Sequence, residues 1–170
     1  MWSPATFRLG NPVQVVYLLV STSSSVTTAV GSVSCSSLDA AYSCESRGRA
    51  FVTAESSTWS GIGQFKLDIR QNLIESYMQD NNNPDLGYGD FGRDSVKVGN
   101  DDNRNLRLNG KTIAVVNDTS QLLGSFGLAV KSYNFKGDEE YPSFLATLFD
   151  TRTIPGRYIG FLFTNTRCAF

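Results

Sequence analysis

Short apolar runs broken by small polar clusters dominate this chain. Val15-Val16-Tyr17-Leu18-Leu19-Val20 is a continuous apolar stretch of strand length. It runs straight into Ser21-Thr22-Ser23-Ser24-Ser25, a hydroxyl-rich turn. Gln64-Phe65-Lys66-Leu67-Asp68-Ile69-Arg70 alternates polar and apolar residues, the period of a half-buried strand. Strands are expected over Thr6–Leu9, Val13–Val20, Val26–Val33, Gly63–Gln71, Ser95–Val98, Leu106–Val116 and Tyr158–Phe163. Gly, Asn, Asp and Ser clusters between them supply turns. Gln79–Asp85 and Lys136–Glu140 read as exposed loops. Pro142–Phe149 carries apolar residues at helical spacing, with Pro142 suited to an early helical position and Thr151–Pro155 ending the element. Leu38–Tyr42 fits a single helical turn. With no repeat and no linker, residues 1–170 read as one all-β domain with one or two short helices.

Composition narrows the chemistry. The chain has 170 residues, 41% hydrophobic and 12% aromatic, enough for a folded core. The net charge is -1 and Lys and Arg are scattered along the sequence, so no nucleic-acid or polyanion partner is expected. The absence of histidine removes Ser-His and Cys-His catalysis and His-bound zinc. Three cysteines without a Cys-x-x-Cys cannot form a four-thiolate metal site, and no cofactor is expected. Carboxylates remain as the strong acid–base candidates. No apolar run approaches the roughly 18 residues of a membrane-spanning helix. Met1-Trp2-Ser3-Pro4 leads almost directly into strand-like sequence, so Met1 is read as standing in place of a removed leader. Serine and threonine richness, the sequon Asn117-Asp118-Thr119 and a close cysteine pair favour a secreted or extracellular-facing glycoprotein.

The strand-to-turn passage at Val15–Ser25 resembles the Asp-Thr-Gly-Ser-Ser motif of pepsin-like aspartic proteases. Gly10-Asn11-Pro12-Val13-Gln14 is similar to the family's Gly-Thr-Pro-Pro-Gln turn. Phe51 to Trp59 looks like Phe-x-Pro-x-x-Ser-Ser-Thr, in a form similar to divergent secreted fungal members. Gly89 to Val96 matches Gly-x-x-Gly-x-Asp-x-Val. Leu122 to Leu128 resembles Gly-Ile-Leu-Gly-Leu-Gly, and Tyr141 to Pro155 resembles Pro-Ser-Phe-Leu followed by a helix and Ile-Pro. Six matches in order span nearly the whole chain as an N-terminal lobe. The resemblance implies an acid-protease lobe, a double-psi-type β barrel or sandwich. It also implies a small disulfide loop between Cys35 and Cys44, consistent with a short structural disulfide.

The departures carry the functional expectation. Ser21 stands at the aspartate and Ser23 at the glycine; no flap tyrosine is evident in Phe65–Gln71, an insertion occupies Asn72–Asp85, and the family's second lobe is not within these 170 residues. The family's chemistry needs two carboxylates sharing one proton. Serine without a neighbouring base supplies neither. The expectation is a catalytically inactive domain that binds or decoys a peptide or protein. Its cleft would be lined by Ser21, Thr22, Ser23, Phe65, Leu67 and Ile69. Two alternatives stand beside it: one lobe of an endopeptidase completed by a second lobe or by Asp68 or Asp118, and a self-associating interaction module. In the family the terminal strand joins a sheet shared by both lobes, so Phe161, Phe163 and Phe170 suggest a homodimer or protein partner there. Asp118-Thr119-Ser120 reads as a surface turn, Asp90 and Asp94 as carboxylates in a glycine-rich turn, and Asp101-Asp102 as a solvated loop. Cys168 is left over from the pair.

Overall fold

The computed structural model describes residues 4–35, 43–67, 88–98, 106–117, 122–136 and 139–158. Seven strands form one sheet: β1 (Ala5–Leu9), β2 (Gln14–Ser21), β3 (Thr27–Val30), β4 (Ser60–Lys66), β5 (Tyr88–Val98), β6 (Leu106–Val116) and β7 (Gly124–Gly127), with one helix, α1 (Phe144–Asp150). The strand order is β1-β2-β7-β3-β6-β5-β4, and β1 also pairs with β5. Six strands therefore close into a barrel, and β4 is the extra strand on β5.

Closure follows from the length of β5. Its C-terminal part pairs antiparallel with β1, Phe7 opposite Val98, while its N-terminal part pairs with β4, Phe65 opposite Gly89. Its whole length runs antiparallel to β6. Two parallel pairs complete the barrel: β2 with β7, Ser21 opposite Gly127, and β3 with β6, Thr27 opposite Ile113.

Phe7, Leu9, Val16, Leu18, Val96, Ile113, Val115 and Phe126 fill one core, closed by Phe144 and Leu148 of α1. Ala114 and Val116, on the other face of β6, enter a second cluster with Leu67, Phe91, Tyr133 and Tyr141. Burial on both faces explains the unbroken apolar run Ile113–Val116. Phe7, Phe126 and Phe144 touch in series, with ring centroids 4.2 and 4.8 Å apart.

The structure shifts several expected elements. The run Val26–Val33 gives only β3, because Gly31 is followed by a 3-10 turn, Ser32–Ser34, whose Ser34 hydroxyl donates back to the Gly31 carbonyl. The glycine-rich stretch before Ser95 is strand, not turn. Gly92 lies under the Trp59 ring, where a Cβ would come within 2.3 Å of Cζ2, so the glycine serves close packing. Asp90 and Asp94 consequently sit on β5. β7, too short and glycine-rich to show an apolar period, was not expected as a strand. In α1 the N-cap is Ser143, whose Oγ accepts from the Ala146 amide at 3.1 Å, and Pro142 precedes the cap. The expected turn Leu38–Tyr42, the loop Gln79–Asp85 and most of Tyr158–Phe163 lie outside the described residues.

Asp94 pins three segments together. Its buried carboxylate accepts from the Ser56 hydroxyl at 2.7 Å, the Thr58 hydroxyl and the Ser95 amide. Ser56 Oγ in turn accepts from the Asn11 amide at 3.0 Å, while the Gly10 amide donates to the Ser95 carbonyl and the Ser95 hydroxyl donates to the Gly10 carbonyl. Removing a buried, fully bonded carboxylate strands these donors. Asp94→Ala is expected to lower unfolding free energy by about 3 kcal/mol, measured by urea denaturation, with an unchanged m-value.

Lys111 ties β6 to α1. Lys111 is 5% exposed, and its ammonium donates to the Pro142 carbonyl and, at 3.1 Å, to Thr147 Oγ1. Burial lowers its pKa to about 8. The folded value lies below the unfolded one, so the unfolded chain binds more protons from about pH 8 to 10. Stability should therefore rise over that window, by up to roughly 3 kcal/mol relative to a Lys111→Met variant, in denaturation titrations at pH 7 and pH 10.

Candidate functional site

The hydroxyl turn sits where β2 leaves the barrel. Ser21, the last residue of β2, is 1% exposed. Its hydroxyl lies 3.1 Å from that of Ser23 and accepts from the Ser24 amide at 3.1 Å. Its carbonyl accepts from the Leu128 amide, and the Ser24 carbonyl from the Ala129 amide, both at 2.8 Å. Ser24 Oγ donates to the Val26 carbonyl at 2.9 Å. The turn is thus bolted to the segment following β7. Thr22 and Ser23 face solvent. Beneath it, Thr28 Oγ1 and Ser125 Oγ meet at 3.1 Å across β3 and β7.

None of the groups that hold Ser21 titrates near neutrality. The hydroxyl is polarised by another hydroxyl and an amide, so it gains no nucleophilicity. Ser21 is well placed to hold the turn and poorly placed to react.

The other expected lining residues fall on the second cluster. Phe65, half-buried on β4, packs edge-to-face on Phe91 with ring centroids 5.8 Å apart, and lies 5.0 Å from Phe135. Leu67 is buried there. Val26, directly after the hydroxyl turn, packs against the same cluster. Val26 is thus the link between the turn and this cluster; Ile69 lies outside the described residues. Sequence reasoning passed over Phe135, Tyr133 and Tyr141. Phe135 stacks between Phe91 and Tyr141 at 4.0 and 4.1 Å, and Tyr133 and Tyr141 exchange backbone hydrogen bonds. The alternation Tyr133-Asn134-Phe135 was the available signal. Burial pushes the Tyr133 phenol far above the usual tyrosine range, so it is neutral at ordinary pH.

Cys35 and Cys44 form a disulfide. Within the loop's return, the Arg47 guanidinium donates to the Ser34 carbonyl at 2.6 Å, and the Gly48 carbonyl accepts from the Tyr17 amide at 2.7 Å. The segment after Cys44 is thereby fastened to β2. Asn117, the sequon residue, is half-buried, and its side-chain amide donates to the Asp90 carboxylate. Asp68, Asp101, Asp102, Asp118 and Cys168 lie outside the described residues. Among the described residues no group of three His, Cys, Asp or Glu side chains is placed to hold a metal ion. Among them, too, no helix is long and apolar enough to cross a membrane.

No protein-family model matches this chain, and no curated protein is significantly similar to it.

Ser21→Ala should cost about 1–2 kcal/mol, because the buried Ser24 amide loses its acceptor. The fold should survive, since the backbone bonds to Leu128 and Ala129 remain. Thermal unfolding followed by circular dichroism measures both.

Proposed function

We propose that this chain is a pepsin-like lobe that has lost its catalytic acid and works by binding an extended peptide or protein segment. The observation that carries the reading is the pairing of β2 with β7. Val15–Ser25 and Leu122–Leu128, the two segments with the family's motif framing, are some hundred residues apart in sequence. In the fold they lie side by side, with Ser21 opposite Gly127. At the position where the family carries its aspartate stands a buried serine held by Ser23 and Ser24. A water molecule there would find no base.

Binding has its own support. Among the described residues no strand pairs with the outer edge of β4, and Phe65 of that strand joins the aromatic cluster beside the turn. An extended peptide can add to such an edge through backbone hydrogen bonds while its side chains meet the half-buried Phe65 and Phe135 at the rim of the cluster. A decoy for protease inhibitors is one use of such a surface. The disulfide is compatible with an extracellular setting, which completes the proposal.

The expected result with an unfolded protein substrate between pH 3 and 7 is no cleavage, with or without pepstatin. Pepstatin-sensitive cleavage that persists in Ser21→Ala would overturn the reading.

A further inference from the structure

The sequon Asn117-Asp118-Thr119 begins where β6 ends, and the fold has already engaged its asparagine. Val115 and Val116, the two residues before it, are 2% and 0% exposed. Val116 is opposite Val30 on β3 and Gly89 on β5, so this end of β6 is paired on both sides. The Val116 carbonyl accepts from the Gly31 amide at 2.8 Å and from the Ser34 hydroxyl at 3.3 Å. The Asn117 side chain continues the tie. Its Nδ2 donates to the carboxylate of Asp90, a half-buried residue on β5 opposite Val115. Such diagonal neighbours on adjacent strands lie within side-chain reach. Its Oδ1 packs on Gly31, just past β3, so closely that a Cβ there would collide with it. One amide therefore links the ends of β3 and β6 to β5, with its nitrogen and its oxygen both against the protein.

We infer that Asn117 is a structural latch and that the folded protein carries no glycan on it. Transfer joins the anomeric carbon of a lipid-pyrophosphate-linked sugar to the asparagine Nδ2, with loss of one amide proton and release of the lipid pyrophosphate. An acceptor asparagine belongs on a surface loop, where that nitrogen and the backbone around it can enter an enzyme. Here the nitrogen faces Asp90, and the backbone leading to it is a strand paired on both sides. Freeing it means parting β6 from β3 and β5, which opens the barrel rather than fraying a loop. A glycan added before folding is bulky and solvated, and it would hold the side chain off Gly31 and Asp90. Glycan and latch exclude each other. The sequon then adds nothing to the extracellular reading, which is left to the disulfide.

The test offers the folded protein, and its reduced, alkylated and unfolded chain, to a membrane-bound oligosaccharyltransferase with a lipid-linked sugar donor. Intact mass reads the products. The unfolded chain should gain a glycan, and the folded protein should gain it at least about tenfold more slowly, because only the opened fraction reacts. Val130→Asn creates a sequon with the exposed Lys131 and Ser132, and this site should be modified in the folded state. Thermal unfolding separates a latch from a bystander. Asn117→Ala should lower the melting temperature, while Thr119→Ala, which abolishes the sequon and keeps the amide, should leave it unchanged. Equal rates of transfer to Asn117 in the folded and unfolded chains would overturn the inference. So would an unchanged melting temperature in Asn117→Ala, or a form glycosylated at Asn117 that unfolds at the wild-type temperature.

Discussion

The Ser21 turn depends on β7 being thin enough to lie between β2 and β3. A Cβ on Gly124 would come within 2.5 Å of the Thr28 carbonyl, and one on Gly127 within 2.5 Å of the Val26 carbonyl. Such approaches exclude any side chain. With glycine at both positions, β7 runs parallel to β2 and touches β3 at Thr28 and Ser125. The barrel then closes, and the amides of Leu128 and Ala129 reach the carbonyls of Ser21 and Ser24. Replace either glycine and the strand must move outward, taking the turn with it.

That constraint explains how the turn holds its shape with no charged group in it. Its geometry comes from backbone bonds and from hydroxyls sealed between strands, none of which requires a charge. Carboxylates elsewhere are used structurally: Asp94 gathers Ser56, Thr58 and Ser95, and Asp90 receives Asn117.

The periodic elements were legible in the sequence. The apolar run of β2, the long β6 and the helix at Phe144 follow hydrophobic spacing, and the close cysteine pair anticipated the disulfide. Three features were hidden, each for a physical reason. The N-terminal half of β5 carries Gly89, packed against Ala114 and Leu67, and Gly92, beneath Trp59, yet glycines in sequence signal turns. β7 has four residues, two of them glycine, and its strand state is set by its neighbours rather than by propensity. The latch of Asn117 onto Gly31 and Asp90 depends on strand register, which joins residues distant in sequence and leaves no local trace. At the candidate site, the hydroxyl-rich turn that ends the apolar strand at Ser21 was readable. The aromatic cluster of Phe135 and Tyr141 was not, because it is assembled across β4, β5 and the segment before α1.

The central claim is that the surface between the Ser21 turn and β4 binds an extended chain without cutting it. Hydrogen–deuterium exchange with pepstatin as the probe, repeated with an extended apolar peptide, tests this directly. The account predicts slowed exchange in β4 and in residues 21–25, with the peptide recovered intact by mass spectrometry. Exchange unchanged in both segments, or a cleaved peptide, would contradict it.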